Sequence, residues 1–178
     1  MSTTTKRWTL EEVHSLPDDG NKYELVRGEL FVTPPPNHGH ETVHARLNHV
    51  LVPYVQAQKL GLVYAGTPCV RRKGSEVLPD LTVRVPAPHV HNDHENAPTP
   101  LLVIEVLSGS TRRRDLEQKR LFYMEDAQVP EYWAVDPVSR TVRVIRPGHP
   151  DRVEDRELRW HPAGAAVPLD VDVPALFS

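Results

Sequence analysis

Leu101-Leu102-Val103-Ile104-Glu105-Val106-Leu107 is an apolar run broken by a single carboxylate. A run this short and this apolar predicts a strand buried on both faces of a sheet. An ionised Glu105 in such a strand is costly unless a cation or hydrogen-bond donors compensate it. Upstream, Leu78-Pro79-Asp80-Leu81-Thr82-Val83 sets a second acid in another strand, and downstream Lys119 falls on a predicted helix. Two strand-borne acids and a lysine are the groups that metal-dependent phosphodiester hydrolysis uses.

Working outward, Thr9-Leu10-Glu11-Glu12 is a capping box for a short helix, with Trp8 and Val13 placed as its hydrophobic staple. Residues 23–26 and 29–32 flank Arg27-Gly28 as a hairpin, and Pro34-Pro35-Pro36 stops its second strand. From Gly39 to Gln58, Val43, Leu47, Val50, Leu51 and Val55 keep helical spacing, with Pro53 expected to kink or end the helix late. Residues 62–72 and 77–85 read as two strands around a turn at Lys73-Gly74. Asp80 lies on the more polar side of the second, and Pro79 marks a strand start or a free edge.

Ser108 to Thr111 supply turn and cap residues for a helix from Arg113 to Asp126. Its stripe is Leu116, Arg120, Tyr123 and Ala127, with Asp115, Lys119 and Phe122 beside it. Residues 131–135 and 141–145 are strands joined by a turn at Asp136-Pro137, and Leu169, Val171, Val173 and Leu176 mark a short β appendix. The pattern is one α/β (α+β) domain over residues 1–178, with a mixed sheet, two principal helices and an N-terminal hairpin.

A chain of 178 residues, 39% apolar and 25% charged, has the composition of an ordinary globular domain and the length to bury a real core. A net charge of -3 excludes a wholesale basic coat for nucleic acid but not a local basic groove. The single cysteine, Cys69, excludes an intramolecular disulfide and suits a reducing cytoplasm. No apolar stretch reaches the length of a transmembrane helix, and Ser2-Thr3-Thr4-Thr5-Lys6 is not a signal peptide. The 18 prolines gather at 34–36, 86–100, 147–150 and near the C-terminus, which marks loops.

Phosphodiester hydrolysis needs a cation to neutralise the phosphate oxygens and an activated water in line with the leaving oxygen. Hard cations take one or two protein carboxylates and fill the remaining positions with water and substrate. Asp80 and Glu105 would be those ligands, the Val106 carbonyl a third, and Lys119 would orient or help deprotonate the water.

The blocks that carry this chemistry come in a recognisable order. They are Tyr23-Glu24-Leu25-Val26-Arg27-Gly28-Glu29-Leu30, then Pro79-Asp80-Leu81, then Leu101 through Ser108. Ser110-Thr111-Arg112, Asp115, Lys119, Tyr123 and Val129 through Pro137 follow. Over residues 8–147 this order resembles the Uma-two family of restriction endonucleases, in the PD-(D/E)XK nuclease superfamily. The resemblance implies a restriction-endonuclease-like core, an endonuclease activity with Mg²⁺ or Mn²⁺, and a nucleic-acid substrate, DNA before RNA. It also points to Glu24 as a further catalytic acid and to His40 as a supporting residue. The superfamily's usual lysine lies two residues after the strand Glu, where this chain has Leu107; the family's own pattern carries it on the next helix, as Lys119.

Plainer readings stand beside these. Glu105 could be a buried ion pair with Lys119 or Arg84, Asp80 a turn cap, Lys119 a solvated lysine beside Phe122, and Glu24 the solvent face of a hairpin. Asp115, four residues before Lys119, reads as a helical salt bridge that also supports the lysine. Arg112, Arg113 and Arg114 are either a solvated run or phosphate contacts helped by Arg71, Arg72 and Lys73. His89, His91 and His94 could bind zinc but read better as a polar loop, and Cys69 as a small core residue. Tyr132 and Trp133 read as packing. Three functions compete: a metal-dependent endonuclease, a nuclease-fold module that binds nucleic acid without cutting it, and a zinc-dependent hydrolase or sensor. Cutting both strands of a duplex would favour a homodimer.

Overall fold

The computed structural model describes residues 6–66, 70–86 and 97–178. A one-turn helix, α1 (Leu10–His14), precedes the hairpin β1 (Lys22–Val26) and β2 (Glu29–Thr33), which leads into the long helix α2 (His38–Ala57). Strands β3 (Leu62–Ala65), β4 (Val70–Arg72), β5 (Ser75–Val77), β6 (Leu81–Arg84) and β7 (Leu102–Val106) follow. A helical stretch over 112–126 then leads to β8 (Tyr132–Asp136), β9 (Thr141–Ile145), β10 (Arg152–Glu154), β11 (Glu157–Trp160) and β12 (Leu169–Asp172). The capping box at Thr9 and Glu12 forms as its sequence predicts.

Six strands make the main sheet, in the order β10-β9-β8-β7-β6-β3, with β7 and β8 parallel and the neighbouring pairs antiparallel. A second sheet runs β2-β1-β5-β4, and β11 pairs with β12. All five residues of β7 are buried, as the apolar run requires. Leu102, Ile104 and Val106 pack on one face with Leu47, Leu51 and Val55 of α2. Val103 and Leu107 pack on the other with Phe122 and Tyr123 of the helical stretch. Alternation along the strand therefore sends Glu105 to the second face. Among the described residues, no helix is long and apolar enough to cross a membrane.

Four expectations change. The strand expected over 62–72 divides, with β3 pairing β6 in the main sheet and β4 pairing β5 in the second. Period-two alternation is the same in both sheets, so only the pairing partner separates the halves. The Lys73-Gly74 turn thus joins β4 to β5. Helix α2 runs through Pro53, whose exposed ring lies on the outer side where a helix can bend. Pro79 marks no free edge, because β6 lies between β3 and β7; it precedes the strand's first residue, Leu81.

The fourth change concerns the 112–126 stretch, which winds with wide π-type turns at Asp115–Lys119 and Phe122–Asp126. Its buried side carries Asp115, Lys119, Phe122 and Tyr123, while Leu116 and Arg120 are half-buried. Charged residues face inward because their partners are there.

The two hairpin tips are tied to the end of this stretch. Arg27, held at φ 50 before Gly28, donates to Asp126 and Glu125 at 2.7 Å each, and its N–H donates to Ser75 Oγ at 2.8 Å. Lys73, also at φ 50, donates to Asp126 at 3.1 Å. The second sheet is thereby anchored over the face that carries Glu105.

Gly61 hands α2 over to β3 at φ +115, and a Cβ there would lie 2.2 Å from the Arg84 carbonyl oxygen. Gly61→Ala is expected to cost at least ~2 kcal/mol in urea unfolding, from strain and clash together. Gly74→Ala, with φ +71 but no heavy atom within 4 Å, should cost only about 1 kcal/mol.

Candidate functional site

Glu105 is 2% exposed, and among the described residues both hydrogen bonds it receives fall on Oε1: Lys119 Nζ donates at 2.8 Å and the Tyr123 hydroxyl at 2.5 Å. Lys119 and Tyr123 are four residues apart on the helical stretch, so one helix face delivers both. Lys119 Nζ also lies 2.8 Å from Glu24 Oε1 and 3.6 Å from Asp115 Oδ1. Glu24 reaches it from β1, where the anchored hairpin holds the strand, and its Oε1 also accepts the Leu78 N–H at 2.9 Å. Glu24 Oε2 is buried with no hydrogen bond.

Asp80 belongs to the same face. Leu81 pairs with Ile104 across β6 and β7, so one step further the register sets Asp80 opposite Glu105. Asp80 Oδ2 accepts the Val106 N–H at 2.8 Å and lies 3.0 Å from His40 Nε2 at the start of α2. Lys22 Nζ stands 3.5 Å from Oδ1 and donates to the Leu78 carbonyl at 3.0 Å. One helical turn beyond His40, His44 Nε2 contacts the Asp80 carbonyl at 3.2 Å. Asp80, Glu105, Val106, His40 and Lys22 line one cavity of about 470 Å³, with Pro34, Pro35 and Pro36 on its wall. Lys119 and Glu24 do not line it; they sit behind Glu105.

The charges divide into two regimes. Burial drives the Glu105 carboxyl up, opposed by Lys119 and assisted by the Asp80 charge, to about 7. Burial would also raise Asp80, but the His40 hydrogen bond and Lys22 hold it well below the usual carboxylate range. Glu24, equally buried, is held low by Lys119 and Lys22. Burial would discharge Lys119, yet Glu105, Glu24 and Asp115 hold its ammonium well above the ordinary lysine value. Burial and the neighbouring Glu105 likewise raise the Tyr123 phenol far above its ordinary value. Burial depresses the His40 imidazole, and Asp80 more than reverses this, so its net shift is upward.

The remaining residues singled out by sequence are dispersed. Arg112 pairs with Asp136, Arg113 with Glu117, and Arg71 with Glu76, while Arg72 donates to the Ala97 and Arg71 carbonyls. None of the four lines the cavity; Arg114 does. Asp115 forms the expected pair with Lys119 and also lines the cavity. His89, His91, His94 and Cys69 lie outside the described residues. Among the described residues, no three His, Cys, Asp or Glu side chains stand ready to hold an ion. Lys22 and His44 escaped the sequence reading. Lys22 lies one residue before the 23–30 block and outside it, whereas the i, i+4 spacing of His40 and His44 was a usable sign of one helix face.

Residues 10–176 match a family model described as "Uma2: Putative restriction endonuclease". The fold is similar to the crystal structure of a putative nuclease belonging to DUF820 from Anabaena variabilis ATCC 29413. That similarity has a TM-score of 0.80 at 22% identity and covers 96% of this chain and 97% of the other. No curated protein matches the chain.

The buried charges make stability depend on pH. Glu105 has a folded pKa of about 7, above its ordinary value of 4.5, so the fold favours its protonated form. Its contribution is full below about 4.5 and is lost as pH rises through about 7. Lys119→Met strands buried carboxylates and should cost about 3–5 kcal/mol at pH 8. At pH 5.5, where Glu105 is protonated, the loss should be smaller; urea titrations at the two pH values compare them, and equal losses would contradict the pairing.

Proposed function

This chain belongs to the Uma2 family of putative restriction endonucleases, and we propose that it hydrolyses phosphodiester bonds of DNA as a divalent-metal-dependent endonuclease. One observation carries the reading. Asp80 and Glu105 stand opposite each other on adjacent strands, on one face, and line the same cavity.

The donor set suits a hard cation. Both groups offer carboxylate oxygens, which Mg²⁺ and Mn²⁺ prefer. The Asp80 charge and burial both oppose ionisation of Glu105, so a cation held between the two acids would offset that cost. Asp80 and Glu105 would hold the ion, with the Val106 carbonyl as a third ligand. The chemistry such an ion supplies when bound is neutralisation of phosphate oxygens and a lowered pKa for coordinated water.

The chain's own residues do the positioning. Lys119 and Tyr123 fix the Glu105 carboxylate from behind, which removes the rotamer freedom of a long side chain. Lys119 is thus a positioning residue that acts through Glu105. Glu24 contributes by holding Lys119 in place, and Asp115 supports it from one turn earlier. His40 orients Asp80, with the Val106 N–H fixing the same oxygen.

A second reading, a nuclease-fold module that binds nucleic acid without cutting it, draws on Lys119 being fully paired away from the cavity wall. It predicts salt-sensitive binding that ignores metal and survives Glu105→Gln.

Supercoiled plasmid incubated with Mg²⁺ or Mn²⁺ should be nicked or linearised, and Glu105→Gln should slow this at least ~100-fold. Cutting by the variant at the wild-type rate would identify a contaminant and overturn the reading. Cation binding must displace the Glu105 proton, so calorimetric Mg²⁺ affinity should be higher at pH 8 than at pH 6, with proton release at the lower pH. Affinity that is flat across this window would exclude Glu105 as a ligand.

A further inference from the structure

A polyanion cannot approach a cavity lined by Asp80, Glu105, Asp115 and Glu41 unless local cations offset them. The exposed arginines near the helical stretch do not supply that charge at the cavity. Arg112 is drawn to Asp136 at a separate depression, and Arg113 is paired with Glu117 on the outer surface. Arg114 is different in three respects. It lines the cavity, it is only 11% exposed, and its partners orient its guanidinium without saturating it.

The orientation comes from two neutral groups on β2. The Thr33 hydroxyl accepts from Arg114 at 2.8 Å, and the guanidinium carbon lies 5.2 Å from the Phe31 ring centroid. Its acidic neighbours are farther than the roughly 2.7–2.9 Å of a strong charge-assisted bond: Asp115 at 3.4 Å and Glu24 at 3.6 Å. Lys119 shares both acids, at 2.8 Å from Glu24 Oε1 and 3.6 Å from Asp115 Oδ1, so neither depends on Arg114 alone. Arginine carries five N–H donors in a planar fork that matches phosphate, and two of them are in hydrogen bonds with described residues. Lys22 adds a second cation on the lining of the same cavity, 3.5 Å from Asp80.

We propose that Arg114, assisted by Lys22, is the residue that binds a backbone phosphate of the nucleic-acid substrate beside the acid pair. The inference rests on the nuclease reading and names the contact by which that site holds its substrate. Arg114 is a binding residue in this role and takes no part in proton transfer. A guanidinium kept only to neutralise Glu24 and Asp115 would affect folding stability and leave the salt dependence of binding untouched.

Fluorescence anisotropy with a labelled DNA oligonucleotide, in EDTA to prevent cleavage and over a range of NaCl, separates the possibilities. Arg114→Gln should weaken binding and lower the slope of log affinity against log salt by about 0.7–0.9, the share of one phosphate contact. Arg114→Lys should keep most of the slope yet bind several-fold more weakly, because the bidentate fork is lost. Arg159→Gln removes an equal charge from β11, which does not line the cavity, and should change neither. Should Arg114→Gln fail to fold by circular dichroism, Arg114→Lys decides. Wild-type affinity in folded Arg114→Lys, or an unchanged slope in folded Arg114→Gln, would overturn the assignment while leaving the nuclease reading intact. Absence of any DNA binding by the wild-type protein, both in EDTA and with Ca²⁺ present, would remove both.

Discussion

The Lys119 ammonium, with no solvent exposure and 2.8 Å from carboxylates on two different sheets, is the interaction on which the structure around the site depends. A lone ammonium at that depth would lose its proton or unfold its surroundings. Glu105, Glu24 and Asp115 keep it charged, and it in turn makes their burial tolerable. The cluster therefore behaves as one unit, and it joins β1, β7 and the helical stretch at a single point. Hydrophobic packing around Phe122 and Tyr123 backs it, and only Glu105 and Asp115 of the cluster reach the cavity lining.

That arrangement gives the site a back and a front. At the back, Lys119 and Tyr123 grip one oxygen of Glu105. At the front, Asp80 faces the cavity under His40 and Lys22 and stays ionised. Two acids on adjacent strands thus have opposite tendencies, one resisting charge and one holding it. Environment sets the difference: Glu105 has desolvation and a like charge against it, while Asp80 has a backbone donor, an imidazole and an ammonium in its favour. A hairpin with two left-handed turn residues, tied at its tip to Asp126, keeps Glu24 in register with this pair.

Much of the fold was legible because it rests on local rules. The capping box, the two Gly-containing turns, the long helix and the buried central strand each follow from spacing and residue type within a few positions. The errors fell where partners are distant. Whether residues 62–65 and 70–72 form one strand or two depends on which sheet edge receives each, and alternation carries no trace of that choice. Pro53 is tolerated because its ring faces outward, a matter of helix placement. In the 112–126 stretch half of the expected stripe, Tyr123 and Ala127, is buried. Asp115, Lys119 and Phe122 from beside it are buried too, because the charged partners of Asp115 and Lys119 lie on that side.

From sequence alone came the oddity of Glu105, a second strand-borne acid at Asp80, and the family that the ordered motifs resemble. Those are properties of short segments and of their order, and they survive without coordinates. Tertiary structure alone decided that Lys119 lies behind Glu105 and off the cavity wall, and that Arg114 faces the cavity where Arg112 and Arg113 do not. The reason is geometric: consecutive helical residues point about 100° apart, so three adjacent arginines share a composition and a charge but not a direction.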